Sequence, residues 1–152
     1  MNIQITGLDE MMATLERLGA ESEGVLKKAL YEGANEAANI FKAEVDSIPT
    51  DNHWGTTQHP RAGIRAGEKE DLRASLGIAR FDKSSLGITT SIGFDGYNRN
   101  GQANQLIARA SNSGTSFMKK SIFADRAKRK VKKQVPATMS RIIEAEISKR
   151  AK

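Results

Sequence analysis

His53 and His59 are the only imidazoles in the chain and sit near Asp51, so a metal site or general base would have to start from them. Their spacing is not helical, no cysteine completes a zinc set, and no neighbour is placed to orient either ring. These features favour a solvated loop over a metal centre. The stretch Ala62-Gly63-Ile64-Arg65-Ala66-Gly67 has the glycines of a phosphate cradle. It lacks the Gly-Lys-Ser/Thr ending, and the pattern puts it inside a loop rather than between a strand and a helix. No serine lies in a Gly-x-Ser-x-Gly elbow, and with both histidines in one segment a triad has few ways to assemble. Glu68, Glu70 and Asp71 are interleaved with Lys69 ahead of an expected strand, which predicts a solvated, salt-bridged turn rather than paired catalytic carboxylates. The chain is therefore read as non-enzymatic, with no cofactor and no metal.

Charge is more informative than catalytic chemistry. The net charge is +6, but Met1–Met118 carries 12 basic and 15 acidic residues while Lys119–Lys152 carries 12 basic and 3 acidic, giving −3 and +9. A cationic block of that density meets nucleic acid, an acidic protein surface or only solvent. Lys128, Arg129, Lys132 and Lys133 carry its centre, with Phe117 and Phe123 the only aromatics close by. Base stacking along this block is not indicated.

A length of 152 residues with 38% hydrophobic content suits one domain with a modest core, and 5% aromatic content implies a core of aliphatic side chains. Without cysteine there are no disulfides and the redox compartment is undetermined. The N-terminus shows no basic segment leading into an apolar stretch, and no run reaches the roughly 18 apolar residues of a membrane span. A soluble protein with no membrane contact is expected.

Ile3 and Ile5 alternate with polar residues, predicting a short strand. A helix starting near Asp9 and ending at Gly19 follows, with Met11, Met12, Leu15 and Leu18 at helical spacing. Leu26, Leu30, Gly33, Ala37, Phe41, Val45 and Ile48 form the stripe of a long helix that starts near Ser22 and stops at Pro49. Between Pro49 and Asp71 the periodicity disappears, predicting a long, partly mobile loop that holds His53, Trp54, His59, Arg61 and Arg65. Ser75–Ile78 and Ser85–Ile88 repeat one tetrapeptide across a turn-like Asp82-Lys83-Ser84, predicting a hairpin. Its second strand sets Leu86, Ile88, Ile92 and Phe94 against the long helix. Leu106-Ile107-Ala108 reads as a short helix. The last third reads as a helix with Ala127, Val131, Val135, Met139, Ile142, Ile143 and Ile147 on one side, kinked or restarted at Pro136.

The expected fold is α+β: a small antiparallel sheet on a long helix, followed by a long basic C-terminal helix kinked near a proline. Residues 1–118 form a body with a loop at about 49–71, and residues 119–152 form a basic helical arm of the same domain. The arm's apolar stripe needs a partner, which makes it a docking surface.

The order of these pieces resembles the tail-component family of long-tailed bacteriophages typified by gene product ten of phage HK-ninety-seven. The resemblance rests on Ile-x-Ile-x-Gly-Leu-Asp-Glu at Ile3–Glu10 with Leu15 and Leu18-Gly19, and on Ala29-Leu30-x-Glu-Gly-Ala. It continues with Leu72-Arg73-Ala74-Ser75-Leu76, then Gly114-Thr115 trailed by Phe123-x-x-x-Ala127. Two local departures are Asn112-Ser113 where the family often has an acidic residue, and Ile122-Phe123 where it has Pro-Phe. The resemblance implies a virion subunit of the neck or upper tail, a head–tail joining or tail-completion part made in the host cytoplasm. It would form a homo-oligomer, a ring, contact other neck or tail proteins and lie near packaged DNA, which leaves nonspecific DNA contact open. Gly114-Thr115 would then shape the turn into the arm, Gly114, Thr115, Phe117 and Phe123 would form an interaction surface together with Lys128, Arg129, Lys132 and Lys133, and the loop around Trp54 would touch a neighbour. The rival expectation is a stand-alone nucleic-acid-binding protein that uses the basic helix without sequence preference.

Overall fold

A computed structural model describes residues 3–6, 22–84 and 87–150. The elements run β1 (Ile3–Thr6), α1 (Ser22–Asp46), α2 (Ala66–Ser75), β2 (Leu76–Ile78), β3 (Asp82–Ser84), β4 (Gly87–Phe94), α3 (Asn104–Ser113) and α4 (Phe123–Arg150). The fold is α+β, as the patterning predicts. The helix expected from Asp9 to Gly19 lies outside the described residues, as does Leu86.

Strand β4 is central. It pairs antiparallel with β1 along one edge, Ile3 opposite Ile92, and along the other with β2 and then β3, Ile78 opposite Ile92 and Asp82 opposite Thr89. Ile88, Thr90, Ile92 and Phe94 are its buried positions, so the period-two pattern turns one face inward. The expected turn at Asp82-Lys83-Ser84 is instead strand β3, paired with Thr89, Ile88 and Gly87. Polar composition signals an exposed edge as readily as a turn, and this strand is an edge.

The inward face of β4 packs on α1, whose Val25, Leu26, Ala29, Leu30, Phe41 and Val45 are buried with Ile88, Ile92 and Phe94. Phe94 meets Phe41 and Phe123 edge-on at centroid distances of 6.4 and 6.1 Å, tying strand, first helix and last helix together. Phe123 is therefore a core residue, fully buried, and not part of an interaction surface as expected.

Helix α4 lies along α1. Ala127, Val131, Val135, Met139 and Ile143 are buried against it, and Gly33 lets the helices approach: a Cβ there would fall 2.9 Å from Met139 Cγ. The apolar stripe of the C-terminal segment thus finds its partner within its own chain, correcting the expectation that it needs another protein. The helix also continues through Pro136 instead of restarting there. Lys128, Arg129, Lys132 and Lys133 remain exposed beside the buried stripe.

The loop after α1 ends earlier than expected, because Ala66–Asp71 already belongs to α2. Glu68 accepts the backbone N–H of Arg65 at 2.9 Å and so satisfies a donor at the helix start. Helical spacing is obscured there because only Leu72 of that helix is a buried aliphatic. Among the described residues no helix is long and apolar enough to cross a membrane.

Candidate interaction cleft

The segment from Thr50 to Ile64 is closed at its base. Thr50 and Ile64 form a parallel bridge, Asp51 N–H donates to the Ile64 carbonyl at 2.8 Å, and Ile64 N–H donates to the Pro49 carbonyl at 3.0 Å. Only glycine fits at position 63, where a Cβ would lie 1.7 Å from the Pro49 oxygen. Inside the loop, the Asp51 carboxylate accepts from the backbone of Ala62 at 2.9 Å and of His53 at 3.0 Å, and contacts the His53 ring at 3.0 Å. These bonds, that from Ala62 strongest, bring its pKa down to about 2. The loop is thus tied to itself at its base and through the Asp51 carboxylate.

Its far side is laced to the turn after α3. Arg61 N–H donates to the Phe117 carbonyl at 2.7 Å, and Lys119 N–H donates to the Arg61 carbonyl at 2.8 Å. Gly55 passes so close that a Cβ would sit 1.9 Å from the Phe117 oxygen. The turn forms because Gly114 ends α3 with φ 78°, and Thr115 Oγ1 then accepts the Phe117 N–H at 3.1 Å.

Where the two segments meet, Trp54, Arg61, Arg65, Glu68 and Phe117 line a cleft of about 570 Å³, closed on another side by Asn100 and Gln102. Trp54 is 83% exposed and Phe117 54%. The Arg65 guanidinium lies over the indole, 3.9 Å from its centroid, a stacking contact worth about 0.5–1 kcal/mol at an exposed site. Glu68, expected to be solvated, is buried instead, with Arg61 Nη1 3.6 Å from Oε2. Asn98 positions the cleft's remaining wall: its side-chain oxygen accepts the N–H groups of Asn100 and Gln102 at 3.0 and 2.9 Å. Arg99 fixes that wall to α2 through a fork on Asp71, Nε at 3.0 Å and Nη2 at 2.9 Å.

Trp54, Arg61, Arg65 and Phe117 therefore converge, although the last is distant in sequence. His53 and His59 do not join them: His53 faces solvent on Asp51, and His59 uses its backbone in a turn with Thr56. Among the described residues no group of His, Asp and Glu could hold a metal. Sequence reasoning missed Glu68, Asn100 and Gln102. The Asn-x-Asn-x-Gln spacing from Asn98 marked a side-chain-braced turn, but nothing local says which cleft that turn would face.

On α4, Arg126 and Lys130 are committed to Glu44, a 5% exposed carboxylate at the end of α1. Lys128, Arg129, Lys132 and Lys133 make no salt bridge among the described residues. Asn112 ties α3 to α4, its oxygen accepting the N–H groups of Ala124 and Asp125 at 3.0 and 3.1 Å while its amide donates to Asp125 at 3.3 Å. A carboxylate at position 112 would face that of Asp125.

Comparison with protein families, curated proteins and solved structures returns no match to any of them.

Proposed function

We propose that this chain is a non-catalytic structural subunit of a long-tailed bacteriophage virion, joining head to tail or completing the tail at the neck, where it contacts further copies of itself and other neck or tail proteins. The observation that carries this reading is the cleft. The loop and the Gly114–Phe117 turn, both singled out as interaction segments, fold onto each other and turn Trp54 and Phe117 to solvent. Paired exposed aromatics beside arginines are what contact hot spots are made of. The order of sequence motifs supplies the virion context.

The test is complementation of a phage lacking this protein with the Trp54→Ala/Phe117→Ala chain. A folded variant absent from particles, or particles arrested before head–tail joining, is the expected result. Normal infectious particles would remove the cleft from the assembly role.

A second reading rests on a separate observation, the four exposed cations of α4 without acidic partners, which suit nonspecific phosphate contact. Light scattering on the chromatographed chain, with and without duplex DNA, separates the two. A monomer that binds DNA tightly at low salt and never self-associates would favour the nucleic-acid reading.

A further inference from the structure

We infer that the cleft between the loop and the turn is a recognition site for a carboxylate side chain presented next to an apolar one, that is, for an acidic segment of a partner protein. The inference deepens the assembly reading by giving the partner's chemistry.

The cleft is short of acceptors. Arg61 Nη1 and Arg65 Nε are buried without a hydrogen-bond acceptor among the described residues. Arg61 Nη2 has only the Met118 sulfur, at 3.8 Å, and Nη1 stays beyond hydrogen-bond reach of Glu68. Buried guanidinium donors that lack acceptors are costly, and a planar carboxylate is the group that best matches their fork. Trp54 stacks on the face of the Arg65 guanidinium and carries most of its own surface to solvent, so this ring is free to adjust its rotamer around an entering group. Trp54 and Phe117 then flank the entering group with apolar surface.

Charge distinguishes the occupant. Glu68 sits beside Arg61 inside the same cleft, so the two arginines amount to about one net positive charge there. That balance suits a single carboxylate, whereas a phosphate chain is better served by the unpaired cations along α4. Asn100 and Gln102 at the rim have amides suited to the backbone of an extended peptide.

Trp54 is the only tryptophan in the chain, so its fluorescence reports on this site alone. The full chain is titrated with acetyl-Glu-Phe-Glu-Ala-amide, with its Gln-for-Glu analogue and with short oligothymidylate, following Trp54 emission and, independently, heat. The expected result is a saturable change with the acidic peptide in the sub-millimolar range, about tenfold weaker for the Gln analogue and for the Arg65→Gln protein. Arg65→Lys, which keeps the charge but loses the fork, should weaken binding too, and Phe117→Ala should reduce it with the fold intact. Equal binding of the Gln analogue, tighter binding of oligothymidylate at this site, or no saturable signal would each overturn the inference. Because these titrations use the isolated chain, their failure leaves the assembly reading to stand or fall on particle composition.

Discussion

Glu44 shows how one side chain can set the behaviour of an interface between helices. It is buried at the end of α1 and accepts from Arg126 at 2.9 Å and from the Lys130 ammonium, while Arg126 also reaches Ser47 and the Ser121 carbonyl. Burial, the strongest influence, raises its pKa, but the two cations together leave it below the usual 4.5. The stability it contributes is therefore complete above the unfolded value and is lost as pH falls through the lower folded one. Glu44→Gln should cost about 1–3 kcal/mol near neutral pH, and the difference from wild type should shrink below about pH 4, as read by urea unfolding at both pH values. A penalty independent of pH would mean that the amide is disfavoured for its shape and not its charge. Asn112 makes a second residue-level case: Asn112→Ala removes the acceptor for two N–H groups at the start of α4 and should lower stability by about 1–2 kcal/mol, measured the same way. Neither role was legible in the sequence, because both depend on partners far away along the chain. Trp54 and Phe117 were legible as candidates, being large apolar side chains in stretches without periodicity, whereas Phe123 belongs to a helix whose first turn faces inward.

Among the elements, α1, β4 and α4 were readable because each repeats a buried position at its own period over many residues. Two short elements were not: Asp82 and Lys83 of β3 are exposed, and α2 carries a single buried aliphatic, Leu72. The C-terminal helix separates two properties that the sequence presents as one. Its apolar stripe belongs to the core and its cations do not, so substitutions on the two sides should diverge. Ile143→Ala should destabilise the chain by about 2–4 kcal/mol through the cavity it leaves against α1. Reversing Lys128, Lys132 and Lys133 to Glu should change unfolding by no more than about 0.5 kcal/mol, since none of the three makes a salt bridge among the described residues. The same triple variant should abolish low-salt retention on duplex DNA if the ridge meets phosphate. Unaltered retention would reduce the ridge to a solubilising face.

At the scale of the whole molecule, the division of charge into −3 and +9 along the sequence does not correspond to two bodies, because α4 is one wall of the single core. The loop is likewise integral. Ile64 is fully buried, Gly63 packs under Pro49, and Arg61 pairs with the turn at Met118, so excising residues 53–67 would remove core and bracing together. That deletion should unfold the chain, seen as loss of the cooperative thermal transition, and cannot serve to separate assembly from folding. The aromatic pair can. Trp54 and Phe117 expose most of their side chains, so the Trp54→Ala/Phe117→Ala chain should melt within a few degrees of wild type when both are dilute. If copies associate through the cleft, mass action stabilises the folded form, and the wild-type Tm should rise with protein concentration while that of the double variant stays flat. If the two melting curves respond to concentration alike, the surface through which copies meet lies elsewhere on the molecule, and the cleft is left to a partner of another kind.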